Sequence, residues 1–209
     1  MKKCVIFCAG AMDVAPVKID AQDLCIAADG GLRHAQRLGI TPSVILGDFD
    51  SLGYVPQGAM VHPVEKDDTD AMLAVRLGLD RGYKTFYLYG ALDGARLDHT
   101  LANFQLLQFL QKQGAKGYLV GNSQTATVLW GKNTARREAE GIISLFALDG
   151  AAKVTLKGLK YNLENGTLSP DFPLGVSNHF TGNGAEISVT QGSVLAIYQT
   201  QATFWEETL

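Results

Sequence analysis

Two folding units of different class are expected from this chain: a doubly wound, mostly parallel α/β sheet over residues 1–124, and an antiparallel β-sandwich or jelly roll over residues 125–209. Three observations carry that expectation. Apolar runs of strand length recur through the first part with helical patterns between them, the βα alternation of a parallel sheet. Those runs do not alternate apolar with polar residues, which suits strands covered on both faces. Past Asn122-Ser123-Gln124 no helix-length pattern remains, and short β-rich segments follow between turn residues.

In order, the strand-like runs of the first unit are Cys4–Ala9, Leu24–Ala28, Val44–Leu46, Met60–Val64, Phe86–Tyr89 and Tyr118–Val120. Helices are expected over Gly31–Leu38, over Asp70–Leu79 with apolar Met72, Leu73, Val75, Leu77 and Leu79, and over His99–Lys112 with Leu101, Phe104, Leu107 and Leu110. Gly82 and Gly114 follow the last two as stop signals. In the second unit the strands are Ala126–Trp130, Ile142–Leu148, Ala152–Leu156, Gly166–Leu168, Glu186–Thr190 and Val194–Gln199. Turns are expected at Gly131-Lys132-Asn133, Asp149-Gly150, Asn165-Gly166, Gly182-Asn183-Gly184 and Gln191-Gly192.

Bulk properties narrow the function. A formal charge of -3 and a pI near 5.8 offer no basic surface to nucleic acid. No apolar run approaches a membrane span, and Met1-Lys2-Lys3 leads straight into a short strand without the apolar stretch of a signal peptide. A cytoplasmic protein is expected. Cys4, Cys8 and Cys25 are odd in number and sit in apolar runs with no histidine at ligand spacing, so they read as small buried hydrophobes in a reducing compartment. His34, His62 and His179 show no metal-ligand spacing either.

The chemistry is concentrated in five short signatures, four of them where a strand gives way to a loop or helix. They are Ala28-Asp29-Gly30-Gly31, Gly47-Asp48-Phe49-Asp50-Ser51, Lys66-Asp67-Asp68-Thr69-Asp70, Arg96-Leu97-Asp98-His99 and Ser177-Asn178. In an open α/β sheet the carboxyl ends of the strands are where ligands bind. Carboxylates gathered at one rim repel unless a cation sits among them, and magnesium takes oxygen ligands together with substrate phosphates. A metal–nucleotide site follows. In an extended segment Asp48 and Asp50 point to one side and Phe49 to the packed side. D-x-D alone is equally an acidic turn ending a strand.

Before the second helix, one of Asp68, Thr69 and Asp70 serves as an ordinary N-cap. Three carboxylates in four positions exceed what capping needs, and Lys66 either pairs with phosphate or neutralises its neighbours. Asp98 precedes the third helix, where capping is again the plain alternative. Arg96 suits bidentate recognition of phosphate, whereas His99 at a helix start reads as a local hydrogen-bonder. Asp29-Gly30-Gly31 offers backbone N–H groups to an anion. It is not a G-x-G-x-x-G fingerprint, and no P-loop occurs in the chain. Ser177-Asn178, taken singly, reads as a turn, and Trp130, Tyr161 and Trp205 read as core aromatics as readily as stacking platforms.

Taken in order, the five signatures resemble the motifs of the thiamine pyrophosphokinase (thiamine diphosphokinase) family: A-D-G-G, G-D-F-D-S, K-D-x-T-D, a glycine-rich R-x-D-H segment, and S-N. The resemblance spans nearly the whole chain. It implies an α/β domain followed by a β-sandwich, and transfer of an intact diphosphate from ATP to the hydroxyethyl oxygen of thiamine. Magnesium ligands and catalytic carboxylates are implied at Asp48, Asp50, Asp70 and Asp98. ATP contacts are implied at Asp29, Gly30, Gly31, Ser51, Lys66, Asp67, Thr69, Arg96 and His99, and thiamine contacts at Ser177 and Asn178. It further implies a homodimer with thiamine held between the α/β domain of one subunit and the sandwich of the other.

One departure stands out. The family's fourth motif resembles G-[AG]-x-G-G-R-x-D-H, whereas Gly90 to His99 is one residue longer, with Asp93 and Ala95 where glycines are expected. Three other readings compete. A phosphatase with Asp48 as nucleophile leaves Asp29-Gly30-Gly31, Lys66–Asp70 and the β-unit unexplained, and would release inorganic phosphate rather than AMP. A sensor has no need of so many carboxylates, and a pterin pyrophosphokinase is the nearest alternative within the enzyme class.

Overall fold

The protein is described by a computed structural model over residues 2–63 and 68–199. It divides into two compact units, the first running from Met1 to Asn122 and the second starting at Ser123.

The first unit contains β1 (Cys4–Phe7), β2 (Leu24–Ala28), α1 (Gly31–Arg37), β3 (Val44–Gly47), β4 (Met60–Val61), α2 (Asp70–Asp80), β5 (Thr85–Tyr89), α3 (Leu97–Lys112) and β6 (Lys116–Val120). Every strand pair is parallel, in the order β6-β5-β1-β2-β3-β4. All residues of β1 and β2, and four of five in β5, are buried, as strands covered on both faces require. The chain moves outward from β1 through β2, β3 and β4, then returns to the other side of β1 with β5. That reversal is a topological switch point, where an open α/β sheet leaves a crevice beyond its strand ends.

The helices follow their sequence signals with two differences. Thr69 caps α2, its side chain accepting from Met72 N–H, and Gly82 and Gly114 take the positive φ that closes α2 and α3. The third helix begins at Leu97, two residues earlier than expected, so Asp98 lies in its first turn instead of capping it. The buried stripe of α3 is Leu106, Leu107 and Leu110, while Leu101 is 60 % exposed. A strict three-residue spacing drifts around a helix of 3.6 residues per turn, which carries Leu101 away from the face that holds Leu110.

The second unit contains β7 (Gln124–Ala135), β8 (Ile142–Ala147), β9 (Ala152–Lys157), β10 (Leu163–Leu168), β11 (Asn178–His179) and β12 (Ala185–Gln199), all paired antiparallel. Two expected turns are not turns. Gly131-Lys132-Asn133 lies inside β7, and Gln191-Gly192 inside β12. These strands pair along both halves, with a register shift between Val189 and Val194, and Gly131 and Gly192 both have positive φ. The glycines bend a continuous ladder where the sequence suggested reversals. Beyond the bend β12 exchanges neighbours, pairing β9 with its first half and β8 with its second. The two long strands thus carry two branches of one ladder, β9-β10 pairing along one half of β12 and β8-β11 along the other.

Candidate active site

The crevice at the switch point is a cleft of about 550 Å³, a size suited to a small-molecule ligand. Its walls come from the carboxyl ends of four strands: Cys8 and Gly10 after β1, Asp29 after β2, Asp48, Asp50 and Ser51 after β3, and Gly90 and Ala91 after β5. The entry to α2 adds Asp68, Thr69 and Asp70, and the segment at the start of α3 adds Arg96, His99, Thr100 and Asn103.

Glycine is required where the walls meet. A Cβ on Gly31 would lie 1.9 Å from the Phe7 carbonyl oxygen, and one on Gly10 would lie 2.6 Å from that of Gly90. Asp29 is only 8 % exposed, and its backbone is left-handed (φ 47°). Its Oδ2 accepts from the Ser51 hydroxyl at 2.6 Å. Its Oδ1 is buried with no hydrogen-bond partner among the described residues. Orphaned buried carboxylate oxygens are costly and call for an occupant.

Asp48 and Asp50 converge for a reason other than extended alternation. β3 stops at Gly47, and Phe49 adopts φ 62° while its ring stays buried in a cluster with Ala27, Leu32 and Leu52. The Asp50 N–H then donates to Asp48 Oδ1 at 3.3 Å. A left-handed conformation is costly for a bulky residue and typically marks a functional turn. The result is that Asp29, Asp48 and Asp50 each bring a carboxylate oxygen within 4.8 Å of the others. Three carboxylates, one of them buried and carrying an oxygen without a hydrogen-bond partner among the described residues, fit a hard divalent cation such as magnesium.

The remaining sequence-expected residues divide as follows. Asp70 lines the cleft facing Cys8; burial first, and then the Asp70 charge, push the Cys8 thiol up to about 12, so it is no nucleophile. Thr69 lines the cleft but spends its hydroxyl on the cap of α2. Asp68 pairs with Arg76 at 3.0 Å, and the Arg76 guanidinium stacks on Phe109. Asp98 lies off the cleft wall, gripped by Arg96 at 2.6 Å, and that hydrogen bond holds its carboxyl below the usual range. Both partners are exposed, and such a solvated pair yields readily to a better ligand. Lys66 and Asp67 lie outside the described residues, as does Trp205.

The lengthened loop after β5 is tied down by the residue that departs from the motif. The Asp93 carbonyl accepts from Ala11 N–H, and its carboxylate accepts from Asn122 N–H. Asn122 Oδ1 in turn accepts from Asp13 N–H at 2.7 Å.

In the second unit Ser177 is exposed with φ 59°, and its N–H donates to Ser144 Oγ. Asn178 is buried: Oδ1 accepts from the N–H groups of Tyr161 and His179, and Nδ2 donates to the Tyr161 carbonyl. Its amide therefore clamps the Tyr161 loop. Sequence reasoning placed Asp29 on the phosphate side and missed its membership of the carboxylate cluster. No local signal distinguishes the two roles, because the cluster exists only once β2 and β3 are paired.

Comparison with known proteins bears on the same residues. The family model described as the catalytic domain of thiamin pyrophosphokinase matches residues 17–119, and that described as its vitamin B1 binding domain matches residues 133–194. The chain is 27% identical over 192 residues to the thiamine pyrophosphokinase of Bacillus subtilis, spanning 87% of this chain and 89% of that protein. A crystal structure of thiamine pyrophosphokinase from Bacillus subtilis superposes with a TM-score of 0.83 at 25% identity, covering 97% of this chain and 100% of that one. A structure described as a probable thiamine pyrophosphokinase from Staphylococcus saprophyticus gives 0.68 at 27% identity, covering 97% and 100%.

Proposed function

The chain belongs to the thiamin pyrophosphokinase family, and from that premise we propose that it is a thiamine diphosphokinase that transfers the diphosphate of ATP to thiamine, giving thiamine diphosphate and AMP. The observation that carries this reading is the cluster of Asp29, Asp48 and Asp50 at the switch-point cleft, with the Asp29 Oδ1 buried and unpartnered. Thiamine's hydroxyethyl oxygen forms the new bond to the β-phosphorus, the bond between that phosphorus and the α,β-bridging oxygen breaks, and the alcohol proton passes to a carboxylate.

Asp29, Asp48 and Asp50 would hold magnesium, with Asp70 beside them in the cleft; bound there, the ion supplies charge for the transferring and leaving oxygens. The chain's own residues do the rest. Backbone groups of Gly10, Gly90 and Ala91 line the wall along which a polyphosphate would lie. Arg96, which lines the cleft with His99, would leave its exposed pairing with Asp98 to take phosphate oxygens. Little other covalent chemistry is required, because phosphoryl-type transfer depends on positioning and charge. Thiamine is assigned to the second unit, at Ser177 and the Tyr161 loop that Asn178 holds. A homodimer with each site shared between two subunits, working in the cytoplasm, completes the proposal.

The test is direct. Incubation with ATP, magnesium and thiamine should give AMP and thiamine diphosphate in equal amounts. Inorganic phosphate with no AMP would favour a phosphatase, and AMP formed only with a pterin would favour the related pyrophosphokinase.

A further inference from the structure

Helix α1 contributes no charged group to the cleft wall, yet three of its side chains hold the loops that do. The Arg33 guanidinium donates to the Ser51 carbonyl at 2.8 Å. The His34 Nε2 lies 2.7 Å from the Gly10 carbonyl; a carbonyl only accepts, so Nε2 carries the proton. Arg37 donates to the Met12 carbonyl and contacts Asp13 Oδ1 at 3.4 Å. Residues 33, 34 and 37 share one side of a helix, at spacings of one and four.

The two loops they hold have different duties in the cleft. The Ser51 carbonyl belongs to the turn that presents Asp48 and Asp50, and the Ser51 hydroxyl also fixes Asp29. The Gly10 carbonyl belongs to the β1 loop, which is stitched to the β5 loop by Gly10 N–H to the Gly90 carbonyl and Ala11 N–H to the Asp93 carbonyl, both at 2.9 Å. Arg33 thus acts on the carboxylate wall, and His34 on the wall made by the β1 and β5 loops. We propose that Arg33 and His34 are positioning residues with separable effects, Arg33 setting the divalent-cation site through Ser51 and His34 setting the nucleotide wall through Gly10. The inference rests on the diphosphokinase reading.

The experiment compares Arg33→Ala, Arg33→Lys, His34→Ala and His34→Gln with the wild-type protein. Manganese binding without substrate is followed by electron paramagnetic resonance, and the Michaelis constants for ATP and thiamine are followed by AMP formation. Arg33→Ala should weaken manganese binding roughly three- to tenfold, the range of one lost hydrogen bond, and leave the ATP constant nearly unchanged at saturating metal. His34→Ala should raise the ATP constant by a similar factor, with thiamine and manganese little affected. Arg33→Lys and His34→Gln, which keep a donor at similar reach, should recover most of each loss. If His34→Ala folds poorly, His34→Gln against His34→Met makes the same comparison with and without the donor. Equal effects of Arg33→Ala and His34→Ala on metal and ATP, or no recovery by the donor-retaining variants, would overturn the inference. Wild-type protein that makes no AMP would overturn the diphosphokinase reading, while unchanged manganese binding in Arg33→Ala would overturn this one alone.

Discussion

Phe49 shows how a single residue shapes the site. Its ring is 2 % exposed and its backbone is left-handed, so the buried ring anchors a turn from which Asp48 and Asp50 reach back toward Asp29. The D-x-D spacing made the pair visible in sequence, but through extended alternation, which is not the geometry found. Asp48→Asn and Asp50→Asn should each keep the fold and lower the rate of AMP formation by roughly a hundred- to a thousandfold, as loss of one oriented electrostatic group does. Wild-type turnover with unchanged magnesium dependence in either variant would remove these residues from the site. Ser177 and Asn178 read as a pair in sequence and separate in structure. Asn178→Ala leaves two N–H groups and a carbonyl short of their partner, which should cost about 1–3 kcal/mol of stability. Ser177→Ala removes an exposed hydroxyl and should leave the unfolding midpoint unchanged while raising the Michaelis constant for thiamine more than that for ATP. Equal destabilisation by the two would contradict the distinction.

At the scale of elements, the approach to β2 rests on a buried charge pair far from the chemistry. The Asp23 carboxylate accepts from Lys3 Nζ at 2.6 Å, from Lys3 N–H at 3.0 Å and from Asp20 N–H at 2.8 Å. Burial alone would raise its pKa, but the Lys3 hydrogen bond and the two main-chain N–H bonds outweigh it and hold the carboxyl below its usual value. A group whose folded pKa is depressed stabilises the fold above its unfolded value near 3.9 and loses that stabilisation as pH falls through the folded value. Asp23→Asn should therefore lower the urea midpoint at pH 7, with the gap to wild type closing as both are taken below about pH 4. A gap that stays constant with pH would show that the ion pair contributes nothing. The elements themselves were largely readable: unbroken apolar runs marked β1, β2 and β5, and Thr69 and Gly82 bracketed α2. What misled were Gly131 and Gly192, since a positive-φ glycine bends a paired strand as readily as it reverses one, and only the cross-strand partner decides. The place of Asp29 in the carboxylate cluster and the grip of α1 on its loops were illegible for the same reason, being products of pairing between distant segments.

For the whole molecule, the motifs proposed to take phosphate and those proposed to take thiamine fall in different units, Asp29 to His99 in the first and Ser177-Asn178 in the second. Each unit also exposes large apolar side chains: Leu97 and Leu101 on α3, and Tyr161, Phe172, Leu174 and Val176 in the β-unit. Exposed apolar groups of this kind favour association, and a two-fold dimer presents the same patches on both copies. If each site joins the first unit of one subunit to the second unit of its partner, two separately impaired proteins, assayed at a thiamine concentration where each alone turns over slowly, should complement each other. Asp48→Asn carries its lesion in the first unit, and Ser177→Ala/Asn178→Ala carries its lesion in the second. In a mixed dimer one site collects both lesions, and the other collects none. Mixing after demonstrated subunit exchange, followed by native mass measurement of tagged chains, should restore up to half the wild-type activity per mixed dimer. Exchange with no recovered activity would mean that each site is built from a single chain.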